Sequence, residues 1–98
     1  MVTLETLRTN RAAIHAIAAR HGASNLRVFG SVARGEAGPE SDVDFLVDFE
    51  PGVSLLDHAG LVLDLEDYLQ CKVDVGAARA LKPRIRERVV ADALPLGE

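Results

Sequence analysis

The chain is poor in cysteine and aromatic residues: it has one Cys, no Trp, one Tyr and three Phe among 98 residues. A single thiol, Cys71, excludes an internal disulfide framework. Without Cys or His companions at ligand spacing it also excludes a structural zinc site, which leaves a small buried hydrophobe at a strand start as its expected role. Four aromatics with no interleaved bases offer no platform for stacking nucleobases, so direct nucleic-acid binding is not expected. No apolar run approaches the length that crosses a bilayer, and the opening MVTLETLRTNR has no apolar signal segment. A cytoplasmic location without membrane contact is the expectation. His15, His21 and His58 share no ligand spacing and are expected on helix surfaces or ends. Repeats, linkers and low-complexity tracts are missing as well, so residues 1–98 are expected to form a single domain around one core.

What is present is an ordinary globular composition, 48% hydrophobic and 27% charged, with an uneven distribution of charge. Between Glu36 and Asp74 there are eleven acids and one base, Lys72; the flanks hold ten bases and four acids. An acidic middle between basic flanks points to a cation site beside surfaces that can meet anions.

The apolar periodicity predicts a helix capped by Thr3 and running to about Arg20, ended by Gly22. LRVFG reads as a short buried strand, SVARGE as one helical turn at most, and AGPES as a loop. In DVDFLVDF the residues Val43, Phe45, Val47 and Phe49 alternate with Asp42, Asp44, Leu46 and Asp48, giving one packed face and one charged face. Ser54 and Asp57 have the spacing of a capping box for a helix to about Leu69. That helix carries a second apolar stripe, Leu61, Leu65 and Tyr68, open to two readings: a partner surface or deeper burial. CKVDV is a third strand, and LKPRIRERVVADAL a last helix with Pro83 near its start. The bases Arg79, Lys82, Arg84, Arg86 and Arg88 are expected on a solvated face. The fold class that follows is α/β (α+β): a small mixed sheet of about three strands flanked by helices.

Asp42 and Asp44, two residues apart on a strand, share a face with Cα atoms roughly 6.5–7 Å apart. Like charges placed so close call for a counter-ion, and hard oxygen ligands favour Mg²⁺ or Mn²⁺ over zinc. The alternative is two solvated aspartates at a strand edge. Asp74, a lone acid in an apolar strand, favours the cation site, because a neighbouring third strand would bring three carboxylates together and three can hold two metal ions. Asp48, at the strand end, is expected to be solvated. Gly30 permits close backbone approach to a ligand, and Ser31 adds a hydroxyl at the start of a short helical turn. The pair does not match a Walker loop, since no lysine follows a second glycine.

GSVARG, then ten residues after the Gly-Ser pair SDVDFLV with its Asp-x-Asp, and finally KVDV, resemble the minimal nucleotidyltransferases of the DNA polymerase β superfamily. These are the MNT antitoxins of HEPN/MNT toxin–antitoxin pairs, and the resemblance covers nearly the whole chain. It implies a polymerase β-like nucleotidyltransferase fold, with Gly30 and Ser31 binding the triphosphate of ATP. Asp42 and Asp44 would ligate magnesium, two ions with manganese as a substitute, and Asp74 would be the third catalytic carboxylate and metal ligand. Arg34 is read as a phosphate contact or a brace for the loop, with a surface ion pair as the alternative; for Arg79, Lys82, Arg84, Arg86 and Arg88, contact with an acidic partner or the triphosphate is the alternative to a solvated face. Phe45 and Gly76 depart from the family's usual residues, outside the metal set. The implied activity is transfer of AMP from ATP to a hydroxyl, a tyrosine, of a HEPN ribonuclease toxin, in a homo- or hetero-oligomer. Two alternatives stand beside it: a non-catalytic antitoxin acting by occlusion, and a catalytic subunit that adenylylates a small molecule held by a partner chain.

Overall fold

A computed structural model describes residues 2–39 and 41–97. Helices α1 (Leu4–Thr9) and α2 (Arg11–Arg20) lead into strand β1 (Ala23–Phe29), a four-residue helix α3 (Gly30–Ala33) and strand β2 (Val43–Phe49). Helix α4 (Leu55–Leu69), strand β3 (Val73–Ala77), a 3-10 turn at Ala78–Ala80, helix α5 (Pro83–Asp92) and a two-residue strand β4 (Leu94–Pro95) complete the described chain. The sheet order is β3-β2-β1-β4. Strand β1 pairs antiparallel with both β2 and β4, whereas β2 and β3 are parallel, joined by α4 as crossover.

The mixed sheet flanked by helices is the architecture expected, with two revisions. It has four strands instead of three: Leu94 and Pro95 pair with Val28 and Arg27, and the Leu96 amide donates to the Leu26 carbonyl at 3.0 Å. The first helix is two helices, divided at Asn10, whose side chain donates to the Thr6 carbonyl at 2.8 Å. Competition of this kind from a short amide side chain is why Asn is a poor helix-interior residue. Thr3 caps α1 through its hydroxyl, as expected.

The alternation in β2 sorts its faces. Val43, Phe45 and Val47 are fully buried together with Leu7, Ile14 and Ala18 from α1 and α2 and Leu61 and Leu65 from α4. The two leucines of the second α4 stripe are therefore core, while Tyr68 is half-exposed with its hydroxyl donating to Asn10 Oδ1 at 2.9 Å. Exposure falls instead on Leu55, Leu56 and Leu63. On the opposite face of β2, Leu46 is also fully buried, lying over its register partner Gly76, so only part of that face is charged. The capping box of α4 forms as read: the Asp57 amide donates to Ser54 Oγ at 3.2 Å, and the Ser54 amide donates to Asp57 Oδ2 at 3.0 Å.

The histidines brace helices. His21 Nε2 lies 2.6 Å from Asp64 Oδ2, with its ring against Gly60, where any side chain would collide with it. His58 Nε2 lies 2.7 Å from the Val75 carbonyl and its ring stacks obliquely near Phe49. His15 bonds the Gly97 carbonyl. Cys71 is half-buried against the core just before β3, and burial pushes its thiol pKa up. No helix among the described residues is long and apolar enough to cross a membrane.

Candidate active site

The sheet register assembles the site. Asp44 pairs with Phe29 on the antiparallel side and with Asp74 on the parallel side. Register partners on neighbouring parallel strands point to the same face about 4.8 Å apart. Asp44 and Asp74 are therefore adjacent on the face away from the helical core, and Asp42, two residues before Asp44, lies just ahead of β2 on that same alternation.

Gly30 follows Phe29 directly and closes against Asp44. A methyl group at Gly30 would overlap Asp44 Oδ2 and lie 3.2 Å from its Cγ. The backbone there has φ +75°, a conformation favouring glycine in its own right. Two independent demands thus converge on one residue: the turn from β1 into α3, and room for a carboxylate. Ser31 is the next residue and bears the first side chain of α3.

Electrostatics confirm the crowding. Burial, and then the charges of Asp74 and Asp42, raise the Asp44 pKa above its ordinary value, while Arg34 opposes them. Among the described residues the ion pairs are His21–Asp64, Arg27–Asp48 and Arg34–Glu36, and none includes Asp42, Asp44 or Asp74. Asp48 differs: Arg27 donates to it at 3.1 Å and Asn25 at 2.9 Å, which makes it a paired structural acid and not the solvated one expected. Asn25 reaches it from a left-handed backbone, φ +52°, inside the bulge between Ser24 and Arg27. Arg34 takes up the surface ion pair, with Nε 3.0 Å from Glu36 Oε2, while its charge still acts on Asp44.

Among the described residues no group of three or more His, Cys, Asp or Glu is placed to hold a metal ion, so the expected three-carboxylate set is not assembled as such. What the residues offer is a set of hard oxygen donors crowded by like charge, open to solvent on one side. That donor chemistry fits Mg²⁺, which keeps several waters and is usually bound by one or two carboxylates together with substrate phosphates.

Sequence reasoning left one part of the neighbourhood open, because it did not separate one C-terminal base from another. Beside Gly30 opens a cleft of about 520 Å³ lined by Phe29, Arg34 and, from α5, Ile85, Arg88, Val89 and Asp92. In the sequence Arg88 is one of several bases on a basic helix; only the packing of α5 singles it out. Another cleft of similar size, along the β1–β4 edge near His15 and Asn25, contains none of these residues.

Comparison with known proteins gives this geometry a family. Residues 12–95 match the model of the nucleotidyltransferase domain. Protein adenylyltransferase MntA of Thermococcus cleftensis is 43% identical over 75 residues, which span 76% of this chain and 76% of that protein. A solved chain assigned as a minimal nucleotidyltransferase is 55% identical, with 96% of each chain covered and a TM-score of 0.86. A toxin–antitoxin crystal structure with AMP-PNP shares the fold at 21% identity and a TM-score of 0.77, covering 90% of this chain and 73% of that one. The Gly-Ser turn closed on an Asp-x-Asp strand, and a family match over most of the chain, lead to one conclusion: this chain belongs to the nucleotidyltransferase domain family.

Proposed function

We propose that this protein transfers AMP from ATP to a hydroxyl, a tyrosine, on a partner toxin of the HEPN class, and so neutralises it. The observation that carries the reading is the placement of Gly30 against Asp44, with Asp74 beside Asp44 in register. The name of the MntA relative and the toxin–antitoxin fold neighbours support it.

In the proposed reaction the acceptor oxygen attacks the α-phosphorus of ATP in line. The new O–P bond forms as the bond to the bridging oxygen of the β-phosphate breaks, and pyrophosphate leaves. Gly30 and Ser31 hold the triphosphate: the glycine lets the phosphate chain approach the backbone, and the Ser31 hydroxyl donates to a phosphate oxygen. Asp42 and Asp44 are the proposed Mg²⁺ ligands, with Asp74 as the third carboxylate of the set. Bound magnesium would neutralise the charge of the phosphates and polarise the α-phosphorus. Asp74, more exposed than Asp44, faces the incoming acceptor and takes its proton. Arg34 adds positive charge beside the phosphates, exchanging Glu36 for a stronger anion. Magnesium dependence and a cytoplasmic setting belong to the same proposal.

The test is incubation of the purified protein and its co-expressed partner with ATP labelled at the α-phosphate, with and without Mg²⁺. Label on the partner, absent for Asp42→Asn/Asp44→Asn, is the expected result. A complex that silences the toxin without label would instead support occlusion.

A further inference from the structure

We propose that helix α5 forms the nucleoside wall of the substrate site, with Ile85 and Val89 covering the base or sugar and Arg88 joining Arg34 on the phosphate chain. The inference rests on the nucleotide-transfer reading above and extends it to residues outside the motif.

Ile85, Arg88, Val89 and Asp92 recur at the i, i+3, i+4, i+7 spacing of one helix face, and all four line the cleft that opens at Gly30. That face is amphipathic yet uncovered. Helix α5 buries none of its residues, and Ile85 is 50% exposed. Apolar side chains turned toward a cleft that opens at Gly30, not toward the core, leave surface for a ligand to cover. Phe29 supplies apolar surface from the strand side.

The charges lining the cleft give a direction. Gly30 and Arg34 belong to the part of the cleft nearest Asp44: a side chain at Gly30 would meet that carboxylate, and the Arg34 charge acts on it. Phosphates therefore belong at the Gly30 end, within reach of the two arginines, and the nucleoside against Ile85 and Val89. The other side of α5 supplies a control: Arg86 lines a separate groove with Pro83, Glu87, Val90 and Ala91.

The experiment is calorimetric titration of the full chain with AMP-PNP and with tripolyphosphate, in Mg²⁺. Arg88→Ala is expected to weaken both ligands about tenfold or more, the loss of one charge-assisted hydrogen bond. Ile85→Ser is expected to weaken AMP-PNP and leave tripolyphosphate unchanged. Arg86→Ala should bind both as the wild type does. Circular dichroism of each variant checks the fold, which these exposed positions should not disturb. Wild-type affinity in Arg88→Ala, or equal weakening by Arg86→Ala, overturns the inference while leaving the nucleotide-transfer reading in place. Failure of the wild-type chain to bind AMP-PNP at millimolar concentration overturns both.

Discussion

Gly30 lies against the carboxylate of Asp44, closer than any side chain at position 30 would allow. The contact joins the turn that follows β1 to the start of β2, and it ties the phosphate-side turn to the proposed metal-side strand.

Gly30→Ala should therefore damage function more than stability. The left-handed backbone alone costs an alanine about 1–3 kcal/mol, and the methyl group must displace Asp44. A lower melting temperature with the fold retained, and AMP transfer reduced at least tenfold, is expected. Full transfer by this variant would show that Asp44 need not hold its position.

Asp44→Asn should raise the melting temperature of the metal-free protein at pH 7 while abolishing transfer. Burial and the charges of Asp74 and Asp42 raise the Asp44 pKa, so its ionised form is disfavoured in the fold. The cost sets in as pH rises through the ordinary carboxylate range and is fully present above the raised value. Below that range Asp44 is protonated and the gain from Asn should vanish. Thermal melts of the two proteins across pH check both ends. Functional sites often hold such destabilising charge.

The α4 cap makes the opposite prediction for acid. The Ser54 amide, donating to Asp57, holds the Asp57 carboxyl below its ordinary pKa. That stabilisation is present above the ordinary value and is lost as pH falls through the lowered one. Asp57→Ala removes the carboxylate that accepts from the Ser54 amide and should lower stability at neutral pH while keeping the Ser54 N-cap. Denaturant midpoints measured at falling pH should show the variant and the wild type drawing together.

Cys71 should react slowly with alkylating reagents at neutral pH. Burial, with Glu66 and Asp42 adding negative charge, pushes the thiol pKa up and keeps it protonated. Iodoacetamide should modify it markedly faster in denaturant than in the folded protein; equal rates would contradict the half-buried placement.

The elements legible in the sequence were those with a local signature. Alternation in DVDFLVDF located the core face and the acids, and Ser54 with Asp57 marked a helix start because capping is a contact between near neighbours. Where nonlocal packing decides, the signature fades. Leu94 and Pro95 become a strand only because β1 offers them an unpaired edge, and a two-residue strand containing proline has no pattern of its own. The break at Asn10 is masked by an apolar stripe that continues from Leu7 to Ile14 across it. Position in the strand set Asp48 apart from Asp44 in the sequence, but its partners did not show there: Arg27 and Asn25, brought to it by the bulge in β1, make it a paired acid. Arg88 is distinguished from Arg86 by which side of α5 each occupies.

The most direct test is the intact mass of the co-expressed toxin after incubation with this protein, ATP and Mg²⁺, beside the same reaction with Asp42→Asn/Asp44→Asn. The account predicts a gain of one or more AMP units on the toxin, located to a tyrosine by fragmentation and lost in the variant. An unchanged toxin mass, with the complex formed and the toxin silenced, would contradict it and leave the three aspartates without a catalytic role.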